Sequence, residues 1–171
     1  MSPFSLLISS HLFSSLPPKH KTQVLAAICN LSLSDENKYE IAKCGAVQPL
    51  VRHAQSEDME VSRQACGALA NLAEMNENRV KIAEEGGVKP IISVLRSPFV
   101  EVQREAGRAL ANLAASAANQ AIIIEGGGHQ LLISYLLSPD TACQRVGALG
   151  IGNLATNPLH RVAVMESGAL E

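Results

Sequence analysis

The sequence predicts an all-α fold, an α-solenoid built from tandem copies of one three-helix unit. Three observations predict it. Particular residues recur at a fixed step of 41 along nearly the whole chain. The composition is 47% apolar and only 3% aromatic, with no Trp, so a core must come from Leu, Ile, Val and Ala. Leu and Ala interspersed with Gln, Glu, Arg and Lys favour helix over strand.

The repeat can be checked position by position. Asn30, Asn71, Asn112 and Asn153 stand 41 residues apart. Gly45, Gly86, Gly127 and Gly168 keep the same step, as do Ser15, Ser56, Ser97 and Ser138. So do Leu31, Leu72, Leu113 and Leu154, and Ile41, Ile82, Ile123 and the similar Val164. No gap is needed to hold phase. A constant period of this length marks one supersecondary unit copied in tandem.

The elements follow in chain order. Residues 4–15 fall in phase with the second helix of a unit, and 18–33 with its third. Complete units follow over 34–74, 75–115 and 116–156, and 157–171 begins another; the array as a whole spans 4–171. The copy at 76–115 shows the plan. Asn76 is placed to cap a short helix running to about Glu85, and Gly86-Gly87 stops it. A second helix spans about Val88 to Arg96, with Pro90 in its first turn, where a missing N–H costs nothing. Ser97-Pro98 is a turn. A longer helix then runs from about Val100 to Ala114, and Val102, Ala106, Ala109, Leu110 and Leu113 share one face of it.

Small residues between the leucines allow close helix approach. The long helices read VSRQACGALANLA, VQREAGRALANLA and CQRVGALGIGNLA. Gly147, Gly150 and Gly152 each cost about 1 kcal/mol of helix propensity against Ala. Packing between units is expected to offset this; a weak point in the fourth long helix is the alternative.

The ALxNLA core, the GAVQPLV and GGVKPIISVL segments and the 41-residue step resemble armadillo repeats. Residues 30–51, NLSLSDENKYEIAKCGAVQPLV, are similar to the armadillo domains of plant U-box ubiquitin ligases. VQREAGRALANLA resembles beta-catenin-like and vacuolar armadillo proteins about as well. The resemblance implies a right-handed superhelix whose third helices line a concave groove that binds extended segments of partner proteins. It leaves the substrate-recruiting domain of a ubiquitin ligase as an alternative, and a self-assembling structural array as another.

The residues of that groove can be named. A stripe beside the core face of each long helix holds Lys19, Gln23, Ala26 and Asn30; Glu60, Gln64, Gly67 and Asn71; Glu101, Glu105, Arg108 and Asn112; and Ala142, Val146, Leu149 and Asn153. Asn is a poor helix former, yet it recurs in mid-helix at one phase. Its amide both donates and accepts, so one Asn per unit can hold an extended backbone in register. In the alternative reading each Asn bonds a neighbouring helix. Val146 and Leu149 make the fourth copy apolar, which predicts apolar partner side chains there. Arg63, Arg104 and Arg145 form a parallel ladder and, with Arg108, offer pairing to acidic residues. Local ion pairs are the competing role for these arginines. The position four residues before the Asn, often Trp in importin alpha, is Ala26, Gly67, Arg108 or Leu149 here. Capture of nuclear-localisation signals by a tryptophan ladder is therefore not expected.

Other functions find less support. A net charge of −2 argues against a nucleic-acid binder that works by bulk charge. Cys29, Cys44, Cys66 and Cys143 contain no CxxC pair and read as apolar fillers in a reducing compartment. The expected location is cytoplasmic, with the nucleus also open. His11, His20, His53, His129 and His160 carry no metal-ligand spacing. Gly126-Gly127-Gly128 precedes a helix but lacks a phosphate-loop frame and coincides with the turn of the unit. No enzyme chemistry, metal or cofactor is expected.

Residues 2–16 are apolar and Ser-rich, but they lack the basic start of a secretory signal, and the repeat phase accounts for the same stretch. No run approaches the ~18 apolar residues of a membrane span, so no direct membrane insertion is expected. Ser2 follows the initiator Met where myristoylation needs Gly. Both ends interrupt a unit, and Val162 to Leu170 is largely apolar. A piece of a longer array is expected, with frayed ends or end-to-end self-association as alternatives.

Overall fold

The computed structural model describes residues 16–168, so the helix expected over 4–15 and the stretch after 168 lie outside it. Among the described residues there are eleven helices and no strand. Helix α1 (Pro18–Leu31) is a long helix. The next unit comprises α2 (Asp35–Lys43), α3 (Val47–Ala54) and α4 (Met59–Leu72). Its successors are α5 (Asn76–Glu84), α6 (Val88–Val94) and α7 (Val100–Leu113), then α8 (Ala117–Glu125), α9 (Gly128–Leu136) and α10 (Thr141–Ala155). Helix α11 (Pro158–Glu166) follows.

The packing is serial. The long helices α1, α4, α7 and α10 each lie against the next, and α3, α6 and α9 each lie against the long helix that follows them. The first helices α2, α5, α8 and α11 form a row of their own. Each unit therefore buries its apolar face mainly on its neighbours. The result is one continuous core, including Leu25, Leu50, Leu69, Leu72, Leu110, Leu113, Leu132 and Leu154.

The periodic residues acquire distinct physical roles. Gly45, Gly86, Gly127 and Gly168 all have positive φ, between 73° and 85°. They turn the chain in the left-handed region after each first helix, which suits Gly because it has no Cβ. Ser56, Ser97 and Ser138 each accept a hydrogen bond from the backbone N–H two residues on, at 3.2–3.3 Å, and so tighten the turn before a long helix. Leu72, Leu113, Leu154, Ile41, Ile82 and Ile123 are fully buried.

Two details differ from expectation. Asn76 is the first helical residue of α5; Met75 occupies the cap position and no side chain caps that end. Helix α6 stops at Val94 rather than Arg96, because Leu95 and Arg96 donate to carbonyls only three residues back. Such tighter bonds commonly finish a helix.

The glycines of α10 divide. A Cβ on Gly147 would stand 2.5 Å from the Leu132 carbonyl oxygen, and one on Gly150 would meet the Leu132 side chain at 2.7 Å. Close packing of α9 on α10 requires both. Nothing lies within 4 Å of a Cβ on Gly152, so packing does not account for that residue.

Candidate functional site

The face of the long helices that carries the predicted stripe is partly open. Gln23 and Asn30 on α1 are exposed, and Glu60 and Gln64 on α4 are half-buried. Glu105, Arg108 and Asn112 on α7 are half-buried as well. On α10, Asn153 is half-buried and Leu149 is 50% exposed. The array brings these residues onto successive long helices.

The repeated asparagines do structural work along this face. Asn112 Nδ2 donates to the Ala70 carbonyl at 3.0 Å, and Asn153 Nδ2 donates to the Ala111 carbonyl at 2.9 Å. Asn71 Nδ2 reaches the Cys29 carbonyl at 3.1 Å. Each acceptor lies 42 residues back, on the preceding long helix. The amide thus ties one unit to the last, which is the neighbouring-helix role. An amide has two N–H donors and a carbonyl, so a single tie leaves groups to spare. Asn112 Oδ1 and Asn153 Oδ1 accept no hydrogen bond from the described residues.

Asn71 departs from this. Its Nδ2 also donates to Ser32 Oγ at 3.0 Å, and its Oδ1 accepts from Arg108 Nη1 at 2.8 Å. Both N–H donors and the carbonyl oxygen of the side chain are engaged, and Asn71 is only 3% exposed. Val146 is likewise withdrawn. It is buried, and its Cγ1 packs where a Cβ on Gly107 would stand. Neither Asn71 nor Val146 is open to a partner as the sequence suggested. Leu149 carries the apolar character of the fourth copy.

The arginines have separate fates. Arg63 pairs with Glu60 one turn back, at 2.6 Å, and Gln64 also donates to Glu60. Arg104 reaches into the next unit and holds Asp140 through two contacts. Asp140 accepts from the Cys143 N–H and so caps α10. The Arg104 guanidinium, helped by that N–H, holds the Asp140 carboxyl well below the usual range. Arg145 is exposed and makes no hydrogen bond or ion pair with the described residues.

Arg108 is the most connected. Beyond Asn71, its guanidinium donates to Glu105 Oε2 at 2.9 and 3.1 Å, to the Gly67 carbonyl at 3.3 Å and to Glu74 Oε1 at 3.4 Å. Glu74 Oε2 in turn accepts from the buried Lys38 at 2.6 Å. Burial alone would lower the Lys38 pKa, but Asp35 and Glu74 outweigh it and raise it.

A second ladder escaped the sequence reading. Asn78 Nδ2 donates to the Lys38 carbonyl and Asn119 Nδ2 to the Arg79 carbonyl, linking the first helices of successive units. Asn37 and Asn119 also cap the preceding long helices at the Leu31 and Leu113 carbonyls. Arg79, Gln120 and Arg161 do the same at Ala73, Ala114 and Ala155. The signal was available: Asn37, Asn78 and Asn119 keep the 41-residue step.

The cysteines do not form a reactive centre. Cys66 and Cys143 are buried, and burial pushes the Cys66 thiol up to about 12. Burial also raises Cys29 and Cys143, so these thiols stay protonated at neutral pH. Among the described residues no group of His, Cys, Asp and Glu is arranged to hold a metal ion. None of the described helices is long and apolar enough to cross a membrane.

Serial three-helix units with one row of long helices define the class as an α-solenoid. The family model for the armadillo/beta-catenin-like repeat matches residues 34–74 and 75–115. An engineered protein of known structure superposes with a TM-score of 0.92 at 29% identity, over 99% of this chain and 69% of that one. A designed armadillo repeat protein in complex with the peptide (KR)4 gives 0.91 at 27% identity, over 98% and 71%. A computationally designed armadillo repeat protein for modular peptide recognition gives 0.91 at 28% identity, over 98% and 71%. No curated protein matches the sequence. Residues 34–115 thus carry two armadillo repeats, and the described chain shares the fold of designed armadillo repeat proteins. Its likeness to beta-catenin-like, vacuolar or U-box ligase members in particular rests on the sequence resemblance alone.

Proposed function

We propose that this chain is a protein-interaction scaffold that holds extended segments of partner proteins along the face of its long helices, in a concave groove. The observation that carries this is the state of Asn112 and Asn153. Each spends one N–H on the preceding unit, is half-exposed as a residue, and has an Oδ1 that accepts nothing from the described residues. The two acceptors stand on adjacent long helices, so one extended segment crossing both can offer a backbone N–H to each. Backbone capture of this kind needs no particular partner sequence.

Preference comes from the neighbours. Leu149 offers an exposed apolar contact, and Arg145 on the same helix is an exposed cation with no ion pair among the described residues. A partner segment with one apolar and one acidic side chain fits the region around α10. The designed relatives support the reading, since one is a complex with a peptide and another is described as made for peptide recognition.

The test is a peptide-library screen against the wild type and the double variant Asn112→Ala/Asn153→Ala, performed well below the melting temperature. Each variant removes a tie worth about 0.5–1.5 kcal/mol, so some loss of stability is expected. Affinity for selected peptides should fall about tenfold or more, the equivalent of 1.4 kcal/mol. Leu149→Asp should remove the preference for an apolar side chain. Unchanged affinity in the folded double variant rejects the scaffold reading.

A further inference from the structure

The four positions that precede the repeated Asn by four residues are Ala26, Gly67, Arg108 and Leu149. Ala26 and Gly67 are small, and a Cβ on Gly67 would meet Cys29 Sγ at 3.0 Å and Glu105 Oε2 at 3.6 Å. Arg108 reaches back from α7 onto α4 beside Gly67 and Asn71. Its guanidinium sits against Asn71 Oδ1, the Gly67 carbonyl, Glu105 and Glu74, with Nε, Nη1 and Nη2 all donating. This is a complete receptor for a basic side chain, assembled from two long helices and the residue just past α4, and the chain fills it from within.

Charge makes the same point. Glu60, Glu74 and Glu105 border this stretch; Arg63 pairs with Glu60, Arg108 with Glu74 and Glu105, and Lys38 is shared between Glu74 and Asp35. Removing Arg108 leaves the stretch one charge more negative, on a face where Arg108 is about one-third exposed. Nothing in the core requires an arginine here, since Arg63 and Lys38 keep their own partners.

We infer that Arg108 is the specificity-determining residue of the middle of the groove: it seats its own guanidinium where a partner's Lys or Arg side chain would bind, and so turns basic segments away. The inference rests on the scaffold reading above and deepens it. It also explains why Asn71 Oδ1 is engaged while Asn112 Oδ1 and Asn153 Oδ1 accept nothing from the described residues. The seat lies over α4, so a partner segment engages the α7–α10 half with its backbone and is not gripped over Asn71.

The experiment uses the full chain and a fluorescein-labelled peptide of alternating Lys and Arg, with a neutral Ser/Gln peptide of equal length and the best library peptide as references. Binding is read by anisotropy for the wild type, Arg108→Ala and Arg108→Gln; the Gln variant keeps the stem and a donor if Ala fails to fold. Loss of the plug should tighten the basic peptide by roughly five- to tenfold, the size of one partly exposed, charge-assisted contact. The neutral peptide should not gain. High salt, and Glu105→Gln added to the Arg108 variant, should each erase the increase. If the folded Arg108 variants bind the basic peptide no more tightly while the wild type still binds its library peptide, the assignment of Arg108 is overturned and the scaffold survives. If no peptide binds any form, both fall.

Discussion

At the scale of single residues, one repeated amide ties successive units, and its remaining partners differ from copy to copy. Asn112 and Asn153 are ties whose Oδ1 accepts nothing from the described residues, whereas Asn71 Oδ1 accepts from Arg108 and its Nδ2 donates to Ser32 as well. The ion pair Arg104–Asp140 offers a measurable case of such coupling, because it joins consecutive units and caps α10. The Asp140 carboxyl titrates below its ordinary value in the folded chain, mainly through Arg104. Its stabilising effect is therefore complete above the unfolded carboxylate pKa of about 3.9. It is lost as the pH falls through the lower folded value. Asp140→Asn keeps a good cap but removes the charge. The wild type should melt higher than this variant at neutral pH, and the gap should close as the solution is acidified below about pH 4. A gap that persists undiminished in acid would assign the effect to something other than the carboxylate.

At the scale of elements, close approach of α9 and α10 depends on missing side chains. Three glycines in one helix lower its intrinsic propensity by similar amounts, yet only two of them sit against a neighbour. Gly147→Ala would drive a methyl into a backbone carbonyl, which cannot swing aside, and should cost about 1–3 kcal/mol, as overpacking does. Gly152→Ala has open space and should stabilise α10 by about 0.5–1 kcal/mol. Urea denaturation of both variants decides the matter, because opposite signs are required. The same logic explains the turns. Each of the four first helices is followed by a glycine at positive φ; a Cβ would meet nothing within 4 Å at Gly45, Gly86 or Gly168 and only the Gln130 side chain at 3.5 Å at Gly127, so those positions are fixed by backbone conformation rather than packing.

At the scale of the whole molecule, stability is shared between units through their interfaces, with no central core that all of them touch. Leu113 is fully buried on α7 and belongs to a unit with neighbours on both sides. Leu113→Ala should cost about 2–5 kcal/mol, and a coupled array should show one urea transition shifted to lower concentration with its slope retained. Two separate transitions would mean that the units unfold independently. The polar face of the array follows the same one-dimensional plan. On the proposed scaffold reading, a partner segment would meet a series of similar stations whose differences, Gly67 with Arg108 at one and Leu149 at another, would set its preferences.

Much of this could be read in the chain alone. The step of 41, the glycine that ends each first helix, the small residues of the long helices and the face on which Asn recurs were all legible, since they express local periodicity and backbone preference. The asparagines that link the first helices kept the same step and were legible too, though they went unread. What only the tertiary structure decided is which of several equivalent groups are already spent. Asn71, Asn112 and Asn153 share a phase, and Val146 and Leu149 share a helix face. Yet long side chains from the next unit, Arg108 above all, and the close approach at Gly107 bury one member of each set and leave another open. Sequence determines what recurs because a local conformation needs only its own residues. Occupancy of a hydrogen-bonding group depends on a partner about forty positions away, and that is settled when the units stack.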